Sequence, residues 1–163
     1  MAKRAKFRPH LWYAHEAEEA ARFYASIFSD SKVDRVWAVP AESPSGPAGS
    51  VTVVDFTLLG QPVQAMSAGP HHKFNDAVSF VVECDDQAEL DRYWNAILEG
   101  GGTPQACGWI NDRFGVRWQI VPAVLDELMR SPDQAAAGRV AQAMLKMVKL
   151  DIGALERAAR GTV

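Results

Sequence analysis

Two glutamines carry the most suggestive polar chemistry in this chain, because they recur in matching surroundings. Gln64 lies in "GQPVQAM" and Gln119 in "GVRWQIV", both runs of the form Gly-x-x-x-Gln. An amide side chain offers a carbonyl acceptor and N–H donors, so it can hold a hydrogen-bonding ligand, whereas its neutral carbonyl coordinates a metal only weakly. Side chains alternate along a strand, which puts Gln119 on one face with Arg117 and Val121 and leaves Trp118, Ile120 and Pro122 on the other. Other reactive groups are sparse, with two cysteines and four histidines in all. Cys84 and Cys107 form no CxxC motif, which argues against a structural zinc site and for two reduced thiols. No His or Asp base stands beside Cys107 in the sequence, so it is expected to be a buried, inert thiol. His71 and His72 in "GPHHKFND", and His15 before a helical stretch, read as solvated loop residues. Asp112, Arg113 and Arg117 read as a charged turn.

The elements that must position these residues come in two echoing sets. "EAARFYASIF" at 19–28 and "ELDRYWNAIL" at 89–98 match as Glu19/Glu89, Arg22/Arg92, Phe23/Tyr93, Tyr24/Trp94, Ile27/Ile97 and Phe28/Leu98. Ala20, Phe23, Tyr24, Ile27 and Phe28 follow the spacing of an amphipathic helix, and Leu90, Tyr93, Trp94, Ile97 and Leu98 repeat it. Gly100 to Gly102 and Pro104 stop the second helix. A short apolar strand precedes each helix, "PHLWY" at 9–13 and "AVSFVVEC" at 77–84. Strand candidates follow each helix: "SKVDRVWAVP" and "SVTVVDFTLLG" in the first half, "QACGWIND" and "GVRWQIVP" in the second. The Pro/Gly/Ser tract "AESPSGPAGS" reads as a loop. Both halves therefore read as strand–helix–strand–strand–strand, the second shortened, and two echoes in the same order point to duplication. Trp12, Trp37, Trp109 and Trp118 fall on strand candidates, mostly as core, with one or two placed to floor an apolar cavity. Residues 122–134 suggest a short helix. Beyond them one long or two consecutive helices carry a stripe of Val140, Met144, Met147 and Val148, with Asp151 able to cap a second piece.

The hydrophobic fraction of 48% and charged fraction of 23% fit a soluble globular protein. A net charge of −3 lacks the basic excess that a nucleic-acid partner would require. The start "MAKRAKFRPH" has no apolar stretch of a signal peptide, and no run approaches a membrane span. A cytoplasmic, soluble protein with no membrane and no nucleic-acid partner is the expectation.

Together, "PHLWY", "AEEAARFYASIF", "FNDAVSFVVECDDQAELDRYW", "CGWINDRFGVRWQIVP" and "RVAQAMLKMVKLDI" resemble the PhnB-like branch of the vicinal oxygen chelate superfamily of glyoxalases, bleomycin-resistance proteins and dioxygenases. Many members of that branch carry the name 3-demethylubiquinone-9 3-methyltransferase. The resemblance implies an α+β fold over 1–163 as a single domain. It would hold a first βαβββ module at 7–68, a second, shortened one at 75–122, and C-terminal helices at 123–163. It also implies a homodimer and a curved sheet enclosing a cavity. Metal-dependent members place His or Glu ligands on the first and last strands of each module, where a divalent ion acts as a Lewis acid. The positions matching that pattern are His10, Gln64, Ser79 and Gln119. His10 is the one competent metal ligand among them; Ser79 and two neutral amides bring no charge to balance a divalent ion. The expectation is a small-molecule cavity lined by His10, Gln64, Ser79, Gln119, Trp12 and Trp118, with no cofactor. A metal-dependent lyase, isomerase or dioxygenase, with His10 as its candidate ligand, is the alternative. Methyl transfer finds no support in the residues, since the only glycine cluster, "EGGGTP", ends a helix instead of opening one on a nucleotide.

Overall fold

Apolar residues on alternate positions of "TVVDFTL" and "QPVQAMS" give the first half its sheet. In the computed structural model, which describes residues 6–162, strands β1 (His10–Tyr13), β2 (Lys32–Ala38), β3 (Thr52–Leu58) and β4 (Gln61–Ser67) form a four-stranded sheet ordered β1-β4-β3-β2. β1 runs parallel to β4; the other pairs are antiparallel. Helix α1 (Ala17–Ile27) packs across one face and buries Ala17, Ala20, Ala21 and Tyr24. The alanines let the helix approach closely, and the Tyr24 hydroxyl meets that of Tyr13 at 3.0 Å. The Ser67 hydroxyl accepts a hydrogen bond from the Ala17 amide, one of the donors a helix start leaves unpaired.

The second half repeats the order in shorter strands. β5 (Phe80–Cys84), β6 (Thr103–Pro104), β7 (Trp109–Asn111) and β8 (Arg117–Pro122) form a sheet ordered β5-β8-β7-β6, with β5 parallel to β8. Helix α2 (Gln87–Glu99) buries Leu90, Tyr93, Trp94 and Ile97 against it. The α2 start is capped reciprocally: Asp86 accepts from the Glu89 amide, and Glu89 accepts from the Asp85 amide. Internal contacts divide the chain into two compact units, with the boundary after Phe74. These are two tandem βαβββ modules followed by helices α3 (Val124–Met129), α4 (Gln134–Met144) and α5 (Ile152–Arg160).

Several details depart from the sequence reading. β5 begins at Phe80, and Val78 is exposed in the approach to it. "QACGWIND" supplies only the three-residue β7, because Cys107 and Gly108 take positive φ values of 60° and 80° and interrupt the strand. Pro104, read as a helix stop, also ends the two-residue β6. Leu98 leaves the buried stripe of α2 for solvent. Met147 and Val148 lie beyond the end of α4, and Val148 is exposed, so they are no part of a helical stripe. Asp151 does cap α5, accepting from the Ala154 amide.

The C-terminal segment is held by the second unit. The amides of Cys107 and Gly108 donate to the carbonyls of Met147 and Val148, and Ile120 donates to Gly108 from the other side. Leu150 is fully buried, and a Cβ on Gly108 would stand 2.9 Å from the Ile120 carbonyl and 3.0 Å from Leu150 Cδ1. The Gln87 amide clamps the next turn, donating to the Leu150 carbonyl and accepting from the Ile152 amide. Among the described residues, no helix is long and apolar enough to cross a membrane.

Candidate functional site: a polar row on the first sheet

Strand alternation gives the first sheet two unlike faces. Leu11, Tyr13, Val54, Phe56, Val63 and Ala65 are buried on the side of α1. On the opposite, helix-free side, the register lays out two cross-strand rows. His10, Gln64, Asp55 and Arg35 form one; Trp12, Met66, Val53 and Trp37 form the next. The second row packs as an apolar cluster around Val53 with Val51 and Ala68. Trp12 also donates to the Gly69 carbonyl and meets the His72 ring edge-on at 4.7 Å.

The polar row is hydrogen-bonded in a defined direction. Gln64 Nε2 donates to Asp55 Oδ1 at 2.7 Å, a short, charge-assisted bond. That bond fixes the amide, since the flipped amide would set its carbonyl oxygen against the carboxylate. Gln64 Oε1 therefore faces His10 Nδ1, 3.0 Å away, and accepts from it. The neutral imidazole is held as the Nδ1–H tautomer, leaving Nε2 with a free lone pair. Asp55 is further engaged by Arg8 Nη1 on Oδ1 and by Trp37 Nε1 on Oδ2, both at 3.2 Å. Every oxygen of Asp55 and Gln64 thus already has an N–H partner. His10 is exposed, so Nε2 is the outward-facing atom of the chain.

Gln119 has a simpler setting. Its Nε2 donates to Ser79 Oγ at 2.9 Å, Ser79 preceding β5. The register partner of Gln119 on β5 is Val81, so Val81, not Ser79, holds the place beside the glutamine that His10 holds in the first sheet. Trp109 is its partner on β7, where the first sheet has Asp55. Trp118 lies on the other face: it is 1% exposed, and its Nε1 donates to Asp112 Oδ2, so it is core and not cavity lining beside Gln119. Asp112 is also no solvated turn residue. It is buried and its Oδ1 accepts from the Phe114 and Val116 amides, pinning the hairpin before β8. Arg117 stacks over Trp109 and pairs with Asp76 at 2.7 Å.

The structure thus joins His10 to Gln64 within the first unit and Ser79 to Gln119 within the second. Asp55, Arg8 and Arg35 completed the polar row without being expected. A lone acid among the β-formers of "TVVDFTL" was the available signal for Asp55. Both cysteines are free. Cys84 is the buried one, and burial, with Glu89 nearby, pushes its thiol up to about 12. Cys107, expected buried, is only half-buried because its left-handed backbone turns at the strand end. A hollow of about 280 Å³ in the first unit is lined by His15, Ser45, Ser50, Thr52, Ser67 and Gly69, not by His10 or Gln64. Among the described residues, no group of three or more His, Cys, Asp or Glu is placed to hold a metal ion.

Comparison with known proteins places the fold. Residues 5–121 match the family described as 3-demethylubiquinone-9 3-methyltransferase. Among solved structures, the chain is similar to a PhnB protein from Bacillus cereus, with 28% identity, a TM-score of 0.62, and coverage of 72% of this chain and 98% of that one. Protein PA1353 from Pseudomonas aeruginosa shares the fold at 23% identity and a TM-score of 0.54, covering 73% and 97%. The fosfomycin resistance protein FosX from Mesorhizobium loti shares it at 16% identity and a TM-score of 0.55, covering 78% and 99%. A comparison with curated proteins finds no match. With its two βαβββ modules and a family match over most of its length, the chain belongs to the 3-demethylubiquinone-9 3-methyltransferase family, in the PhnB-like branch of the vicinal oxygen chelate superfamily.

Proposed function

We propose that the chain binds a small organic molecule on the helix-free face of its first sheet, without a metal. The observation that carries this reading is the Asp55–Gln64–His10 chain, which holds one imidazole nitrogen outward as a hydrogen-bond acceptor. A hydroxyl or N–H of the ligand would donate to His10 Nε2, and its apolar body would lie along Trp12. The donor set favours the metal-free reading. One imidazole nitrogen is on offer, while the carboxylate of Asp55 is neutralised by Arg8 and the carbonyl of Gln64 is taken by His10. Ser79 and Gln119 belong to the same proposal as polar groups of the second open face. A cytoplasmic homodimer accompanies this reading by family resemblance, and sedimentation tests the dimer.

The test is a fragment screen by thermal shift on protein purified without chelators, together with metal analysis. Ligands with a donor beside an aromatic ring should stabilise the wild type and lose that effect in His10→Ala. Stoichiometric metal that disappears in His10→Ala would overturn the metal-free reading in favour of Lewis-acid chemistry. Stabilisation by S-adenosylmethionine would instead support methyl transfer.

A further inference from the structure

We infer that the second open face, whose Gln119 the proposed function already counts as a binding group, takes a small organic cation in the cleft between that face and the helices that follow. The cleft has a volume of about 260 Å³. Val81, Glu83, Gln119 and Val121 from β5 and β8 form its floor, and Met129 of α3 and Met144 of α4 form its wall. Its one unpaired charge is negative. Glu83 has neither a hydrogen bond nor an ion pair among the described residues, whereas Asp126, also on the wall, is paired with Arg130 at 3.0 Å. The Gln119 amide meets the Ser79 hydroxyl at 2.9 Å through one of its polar atoms, and its other polar atom has no protein partner among the described residues. An uncompensated carboxylate attracts an ammonium group and repels a carboxylate or phosphate.

The remaining lining is apolar and accessible. Val81 is 55% exposed and Met129 37% exposed, so the cleft offers uncovered hydrophobic surface next to the charge. Methionine side chains adapt to varied apolar shapes. The volume falls just below the range of about 300–1,000 Å³ typical of drug-sized ligands. It fits a primary amine carrying one ring or a short branched chain. α3 and α4 lie outside residues 5–121, the span matched by the family, so this wall is built by the C-terminal extension. The site lies wholly within the second unit; it shares Gln119 with the proposed function but makes no use of His10.

Titration of the full chain with benzylamine, benzyl alcohol and benzoate, followed by amide chemical shifts, tests this. Benzylamine should give saturable shifts at Val81, Glu83, Gln119 and Met129, and benzoate none. Glu83→Gln should weaken benzylamine about fivefold, the scale of an exposed ion pair. Met129→Lys, at a partly exposed position, should abolish saturation while the rest of the spectrum stays folded. His10→Ala should leave benzylamine binding unchanged, which separates this site from the first-unit reading. Equal affinity for benzyl alcohol, an unchanged affinity in Glu83→Gln, or no saturation at millimolar benzylamine would each overturn the proposal.

Discussion

The two sheets share a strand order and a register but not the chemistry of their open faces. Across the first, the row through the glutamine reads His10, Gln64, Asp55, Arg35; across the second, the corresponding row reads Val81, Gln119, Trp109. The last residues of the leading strands correspond as well, Tyr13 pairing with Ser67 and Cys84 with Pro122. Tyr13 reaches a hydroxyl on its helix, whereas the Cys84 thiol donates to the carbonyl of Val82, at 3.9 Å. A repeated glutamine therefore has two roles. Flanked by an acid and an imidazole it transmits a direction of hydrogen bonding; flanked by valine and tryptophan it is a lone amide tied to a serine. The backbone ladder sets where the side chain stands, and its cross-strand neighbours set what it can do.

The largest effect should come from the faces the two sheets have in common, those beneath the helices. Trp118→Ala removes a fully buried ring and takes from Asp112 Oδ2 its indole donor. It should cost about 3–5 kcal/mol in urea unfolding, against about 1 kcal/mol for Trp12→Ala on the open face. Equal losses would erase the distinction between the two faces. Next comes the pair of strand-end residues. The Cys84 thiol is raised to about 12 from 9.0, so the folded state keeps a proton that the unfolded state loses between those values. Stability should be unaffected below about pH 9 and fall above it, by about 1.4 kcal/mol per pH unit, a slope absent in Cys84→Ala. A thiol reagent at pH 8 should accordingly modify Cys107 in the native protein and spare Cys84.

The comparison of the glutamines can be broken more gently. Gln64→Leu should cost about 1–2 kcal/mol, by removing a charge-assisted bond from a half-buried carboxylate, and should release His10 to populate both tautomers in nitrogen NMR. Gln119→Leu should cost about 0.5 kcal/mol and leave the His10 signals unmoved. The smallest change is Val81→His, which puts an imidazole beside Gln119 at the register position of His10. Stability should shift by no more than about 0.5 kcal/mol. Because no acid stands at Trp109, the new ring should show no preference for the Nδ1–H form. A strong preference would mean that Gln119 needs no acid to set direction.

The modules were legible in the sequence because duplication wrote the helix stripe and the Gly-x-x-x-Gln run twice. The amide pairings were not, since they depend on register, which one residue of slip would invert. Ser79 illustrates this: the family resemblance matched it to a ligand position, but the parallel pairing of β5 with β8 brings Val81 alongside Gln119. Trp118 and Gln119 are sequence neighbours whose faces follow from alternation alone. The partner of Trp118, Asp112, was hidden because its burial comes from the turn it organises. Helix starts show the same contrast. The Asp86 cap of α2 is local in sequence, while the α1 start borrows Ser67 from a strand fifty residues away.

The reduced size of β6 gives the C-terminal segment a further significance. Two residues pair with only the far part of β7, and beyond them the backbone at 107–108 is covered by the carbonyls of Met147 and Val148. An uncovered strand edge is a template on which another chain can add itself. The tail thus acts as a guard against edge-to-edge association, in place of the strand that the second module shortened. Cutting the chain after Pro122 would leave both βαβββ modules in the sequence yet open that edge, and the truncated protein should be lost to aggregation before it is lost to unfolding.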